Sequence, residues 1–165
     1  MAPTASSGLT VAVEASGGCT ILGGTVTMTS GTTACVLTAS QAGNGNYTAA
    51  TNVVHTVTAS LATQVAVTVS VPASGTVGEA GLTASAGGGS GTGAYSYASS
   101  TLPVCTVNAG SGAIVALTAG ACDITATRAA DGNYAAATSA AAAMPAGAGA
   151  RRVAFAGRGS RAVWG

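Results

Sequence analysis

The chain has 165 residues, enough for one medium domain or two small ones, and 48% of them are hydrophobic, enough to build a core. Only 5% are charged and 4% aromatic, so Thr, Ser, Ala and Gly must cover most of the surface. Lys is absent, and over residues 1–150 Arg128 is the only base set against Glu14, Glu79, Asp123 and Asp131, while Arg151, Arg152, Arg158 and Arg161 crowd the end; a body this poor in charge excludes an electrostatic footprint for nucleic acid.

The opening MAPTASSGLTVAVEAS has neither a basic leader nor a long apolar run, so it reads as no signal peptide. No stretch reaches the roughly eighteen continuous apolar residues of a membrane helix, so no membrane span is expected. Leu9, Val11 and Val13 then alternate with polar or small residues, the mark of a half-buried strand. A Cys-containing strand follows at CTI (19–21), and Val26 and Met28 alternate with Thr25, Thr27 and Thr29. CVLTASQAGNGNYTAAT (35–51) opens on another Cys-containing strand, and Val53, Val54, His55 and Thr56 read as the next one. In TQVAVTVSV, Val65, Val67, Val69 and Val71 fall on one face. Clusters such as SGG, SGTT, AGNGN, AGGGSGTG and ADGN separate these runs and are expected to turn through positive backbone angles. Short strands at regular spacing with no helical period predict an all-β chain of antiparallel sandwich type.

CDITATRAADGNYAAAT (122–138) aligns with the 35–51 stretch without a gap at a shift of 87, with ten of seventeen positions identical. The chain therefore holds one unit twice. The alanines at 140–143 have high helix propensity, but the shift lays them under Val53, Val54, His55 and Thr56, so the second copy is expected to carry a degraded final strand that stops near Met144, before Pro145.

Cysteines follow the repeat. Cys19 and Cys35 lie 16 apart, Cys105 and Cys122 lie 17 apart, and strand parity turns Cys35, Cys105 and Cys122 toward the core. A single His and no CxxC pair argue against zinc, and one disulfide within each copy is favoured over buried free thiols, which implies an oxidising compartment. Asp131 beside Gly132 and Asn133 raises the idea of calcium, but the first copy has Asn44 there and one carboxylate makes a poor site, so no metal or cofactor is expected.

Taken together, the Cys-containing strands (CTI and VCTV), the Gly-rich hairpin, the second Cys-containing strands (ACVLTAS and ACDITAT) and the elements QAGNGNYTAA and RAADGNYAAA resemble the bacterial immunoglobulin-like repeats of large secreted and cell-surface proteins. The resemblance covers residues 1 to about 144. It implies tandem Ig-like antiparallel β-sandwiches used as non-catalytic spacers or adhesive stalks, at an extracellular or cell-surface location, with neighbouring repeats as partners. Cys105 lies forty-two positions after Thr63 but only eighteen residues precede Cys19, so the first copy is expected to lack its opening strand or strands. The expected organisation is an incomplete repeat at 1–60, a complete one at 61–144, and a Gly/Ala/Arg-rich, irregular or disordered tail at 145–165.

Within that resemblance, the Gly45, Asn46, Tyr47 and Gly132, Asn133, Tyr134 elements are read as structural turns, each tyrosine hydroxyl bonding back to turn backbone as in the tyrosine corner of Ig-like folds. An exposed aromatic contacting a surface glycan is the functional alternative. The inventory for catalysis is nearly empty: His55 is the one histidine, the four carboxylates are scattered, and GGGSGTG lies between strands with no following helix to hold a phosphate. The chain is therefore expected not to be an enzyme. A spacer or stalk is the leading function, and a self-assembling or glycan-binding β module, with copies of itself as partner, is the alternative. The incomplete first copy is expected to expose an unpaired edge and an apolar cleft lined by residues such as Leu9, Val11 and Val13, leaving 62–144 as the stable unit.

Overall fold

The computed structural model describes residues 3–149, and every regular element among them is a β-strand. The first repeat forms β1 (Ala12–Gly17), β2 (Cys19–Leu22), β3 (Thr25–Met28), β4 (Cys35–Ser40) and β5 (Val53–Val57). The second forms β6 (Val67–Ser70), β7 (Gly75–Thr76), β8 (Ser85–Gly88), β9 (Tyr95–Ser99), β10 (Cys105–Val107), β11 (Ile114–Ala116), β12 (Gly120–Arg128), β13 (Ala137–Thr138) and β14 (Ala142–Gly147). The period-two alternation read from the sequence survives as alternating burial: along β12, Cys122, Ile124 and Ala126 are buried while their neighbours are not.

In the second repeat the long β12 pairs antiparallel with β9, β13 and β14, and β7 extends β14 in parallel. The other strands form two pairs, β6 with β8 and β10 with β11. These pairs meet through residues 82–84: the Ile114 N–H donates to the Leu82 carbonyl at 2.9 Å and the Ala84 N–H to the Gly112 carbonyl at 2.8 Å. Leu82, Ala84, Ile114 and Ala116 from that side pack with Ile124, Met144 and Ala146 from the other in one buried cluster, and the Cys105–Cys122 disulfide, Cα to Cα 5.6 Å, ties β10 to β12.

Cross-strand registers repeat along with the residues. Cys19 lies opposite Met28 as Cys105 lies opposite Ala116, Cys35 opposite Val57 as Cys122 opposite Met144, and Leu37 opposite His55 as Ile124 opposite Ala142. The first repeat thus reproduces β9 to β12 and β14 as a β1-β4-β5 sheet and a β2-β3 hairpin. It has no counterpart of β6, β7 or β8 among the described residues; residues 3–11 hold only a turn closed by the Gly8 N–H donating to the Ala5 carbonyl at 3.0 Å.

Missing strands leave a missing core. Every residue of the buried cluster belongs to the second repeat, while the buried apolar residues of the first are Cys19 and Cys35. Matched positions show the cause: Ile114 is 4% exposed and its equivalent Val26 37%, and Ile124 is fully buried where Leu37 is half-buried. Both members of each pair have the same parity, so what differs is the layer that Leu82 and Ala84 supply on one side only.

The structure corrects two expectations about chain path. The final strand does not stop near Met144 but runs through Pro145 to Gly147, three residues past the expected boundary of the second repeat. β7 reaches only Ala146 and Gly147, so Pro145 sits where β14 has an open edge opposite β12, a position that tolerates proline. Second, glycines in SGG and in AGNGN at Gly43 do adopt positive φ, but Gly31, Gly45 and Gly132 do not, so the SGTT and ADGN turns are made another way. The expected tail beyond residue 149 lies outside the described residues.

Candidate functional site

The uncovered positions of the first repeat line an open groove of about 830 Å³. Val11 and Val13 come from β1 and the residues before it, Ile21 and Val26 from the β2-β3 hairpin, and Leu37 with Ala39 from β4. Val53 and His55 of β5 close one side. Val11 and Val13 are the expected walls; Leu9 is half-buried but does not line the groove. Among the described residues no carboxylate or arginine lines it, and His55 is the one titratable side chain there, exposed and opposite Leu37 on β4. A second hollow of about 470 Å³ shares Val11, Ala39 and Val53 with the groove and reaches Tyr47.

Two equivalent glycines report what the groove lacks. Gly24 and Gly112 precede Val26 and Ile114 by two residues and share a positive φ, 78° and 71°. A Cβ on Gly112 would collide with the Ala84 carbonyl oxygen, whereas a Cβ on Gly24 would meet nothing within 4 Å. The first repeat has therefore kept the backbone shape that admits a neighbouring strand without having that strand.

The GNY turns are built by the residue ahead of them. Asn44 accepts hydrogen bonds at Oδ1 from the N–H groups of Asn46 and Tyr47, at 2.9 and 3.0 Å. Asp131 does the same for Asn133 and Tyr134, both at 2.8 Å, and its Oδ2 accepts from the Thr92 N–H and hydroxyl. Side-chain bonding of this kind fixes a turn without positive φ, which is why Gly45 and Gly132 are not strained. Neither tyrosine hydroxyl has a hydrogen-bond partner among the described residues, so the expected bond from hydroxyl to turn backbone is replaced by the Asn44 and Asp131 bonds. The signal for this was present in the repeat, since Asn and Asp, the two residues that make such turns, occupy the same position in each copy.

The two turns differ in what they touch. Residues 132–135 meet the first repeat and the connection: the Gly31 N–H donates to the Gly132 carbonyl at 2.8 Å, the Ala62 N–H to the Asn133 carbonyl at 2.8 Å, and the Ala135 N–H to the Ala62 carbonyl at 2.9 Å. The Gln64 amide nitrogen adds a bond to the Ala135 carbonyl at 2.9 Å. The second GNY turn is thus the joint between the repeats. Tyr47, in the equivalent turn of the first repeat, is 53% exposed.

Sequence reading also passed over Arg128. Its guanidinium lies over the Tyr95 ring, 4.7 Å from the centroid, and donates to the Tyr95 hydroxyl at 2.6 Å and to the Gly88 and Gly91 carbonyls. It pins the glycine-rich loop between β8 and β9, the stretch GGGSGTG, so the one arginine of the body is spent on the fold. Among the described residues no three His, Cys, Asp or Glu side chains gather.

Hydrogen bonds from the Thr92, Asn133 and Tyr134 backbone hold the Asp131 carboxyl down, to about 2 from its ordinary 3.8. A carboxylate whose pKa falls on folding stabilises the fold fully above its ordinary value, and that contribution is lost as pH falls toward and through 2. Asp131→Asn keeps an Oδ1 acceptor, as Asn44 does, but removes the charge. Thermal melts between pH 5 and 2 should therefore show a shallower acid loss in the second repeat of the variant than in the parent. Identical acid profiles would mean that the Asp131 bonds do not govern that loss.

A search of family models and of curated proteins finds no match to the chain.

Proposed function

We propose that the chain is a non-catalytic structural module of a bacterial extracellular or cell-surface protein, two consecutive Ig-like repeats serving as a spacer or stalk. The carrying observation is the joint. The Gly31 N–H bond to the Gly132 carbonyl crosses between the repeats, and the bonds of Ala62 and Gln64 to residues 133–135 hold the connection against the same turn, an arrangement a loose linker does not have. Strand order supports the Ig-like reading: β6, β8, β11 and β10 correspond to A, B, E and D of that fold and β9, β12 and β14 to C, F and G. Both disulfides are compatible with an oxidising, extracellular compartment. A surface in which charge is replaced by Thr and Ser, and described residues among which no three His, Cys, Asp or Glu side chains cluster, suit a spacer better than a catalyst.

The test is mechanical. With fluorophores placed on Thr20 in β2 and Thr106 in β10, single-molecule transfer should give one narrow distance distribution, and Gln64→Ala combined with Ala62→Pro, which removes the Ala62 N–H, should broaden it. A broad distribution in the parent chain would sink the spacer reading. A second reading, a self-assembling module, is favoured by one observation, the open groove of the first repeat. The glycan-binding form of the alternative has only exposed Tyr47 in its favour.

A further inference from the structure

We infer that the groove of the first repeat is an acceptor for an extended segment of the same kind as residues 66–89, which form three short strands in the second repeat, supplied by polypeptide outside residues 3–149 and not by a second copy of this chain. The second repeat shows the occupied form of the same groove. There β6, β7 and β8 lie over positions whose equivalents in the first repeat line the open groove: Ile114 over against Val26 and Ile124 against Leu37. Residues 82–84 exchange two main-chain bonds with Gly112 and Ile114, and β7 bonds alongside β14 at Ala146 and Gly147. Among the described residues β3 pairs only with β2, and β5 only with β4, which leaves both receiving edges without a partner there.

Chemistry narrows the occupant further. The groove offers apolar walls and one titratable side chain, His55, which calls for an uncharged, apolar-alternating strand. Residues 66–89 have that character: Val67, Val69, Val71, Leu82 and Ala84 point inward. Their single charge, Glu79, is consumed inside the segment, where its carboxylate accepts from the Thr76 N–H at 2.8 Å and hydroxyl at 3.0 Å. Gly24, with positive φ and open space where Gly112 abuts the Ala84 carbonyl, leaves room for the arriving backbone. An acidic or basic strand would bury an unpaired charge and is excluded on that ground.

A synthetic peptide of residues 66–89, titrated into the oxidised full chain at a concentration where the chain is monomeric, provides the test. Saturable one-to-one binding is expected, with hydrogen exchange slowed in β3 and β5 and unchanged in the second repeat. The same peptide carrying Leu82→Asp should bind about tenfold or more weaker. In the chain, Gly24→Ala should weaken binding by placing a methyl group where the donor carbonyl must lie, while Thr27→Asp, on the outer face of β3, should not. Since Gly24→Ala also strains a positive φ, Val26→Asp serves as the second groove variant and should weaken binding as well. Absence of saturable binding, equal binding of the peptide carrying Leu82→Asp, or protection changes confined to the second repeat would each overturn the inference. So would a chain that dimerises alone with β3 and β5 already protected, because a second copy would then be the occupant. The spacer reading stands or falls on the inter-repeat distance, independently of this result.

Discussion

Ile124→Ala should cost the second repeat about 2–5 kcal/mol, the range for removing a fully buried branched aliphatic side chain and leaving a cavity. Ile124 is completely buried in one cluster with Leu82, Ile114 and Met144, and its strand neighbour Cys122 is held by the Cys105–Cys122 bridge. Leu37→Ala, the same change at the equivalent position, should cost about 1 kcal/mol or less in the first repeat, because Leu37 already faces the groove and gives up little transfer energy. Opening free energies from native-state hydrogen exchange, measured for β12 and β4 separately, decide it. Equal losses at the two positions would mean that the groove closes in solution and that the first repeat has a core of its own.

Replacing Cys105 and Cys122 together by Ala should lower the stability of the second repeat by about 2–5 kcal/mol. The bridge closes a loop of 17 residues and is the only covalent tie between the two sides of a core that has few aromatic residues. That repeat should still fold, since Leu82, Ile114, Ile124 and Met144 remain packed. The same double replacement at Cys19 and Cys35 should have a graver outcome: those residues are the buried apolar part of the first repeat, and without the bridge its strands have too little core to stay assembled. Limited proteolysis should then cut first within residues 9–60 and spare 62–147. Survival of the first repeat without its disulfide would show that its stability comes from another source.

These contrasts mark where local pattern ends and packing begins. Strand identity was legible because alternation of Val, Ile and Thr is a local property, carried by side chains that point to opposite faces. The disulfide pairing was legible too, since a duplicated spacing and inward parity place Cys19 near Cys35 and Cys105 near Cys122 without knowledge of the rest.

What the sequence by itself determined is therefore the all-β alternation, the duplication and the two bridges. Tertiary structure decided the rest, because it depends on which surfaces meet. Val26 and Ile114 have the same parity and similar side chains, and only the presence of residues 82–84 over one of them makes the other a groove wall. The turns ahead of Tyr47 and Tyr134 are bonded by Asn44 and Asp131, since an Asx side chain reaches the N–H groups two and three residues on, while neither tyrosine hydroxyl reaches a partner among the described residues. Pro145 continues β14 because its flank is an open edge, and Arg128 pins a loop 40 residues away in sequence at Gly88. Neither follows from a propensity, because each depends on a neighbour brought close only by the fold.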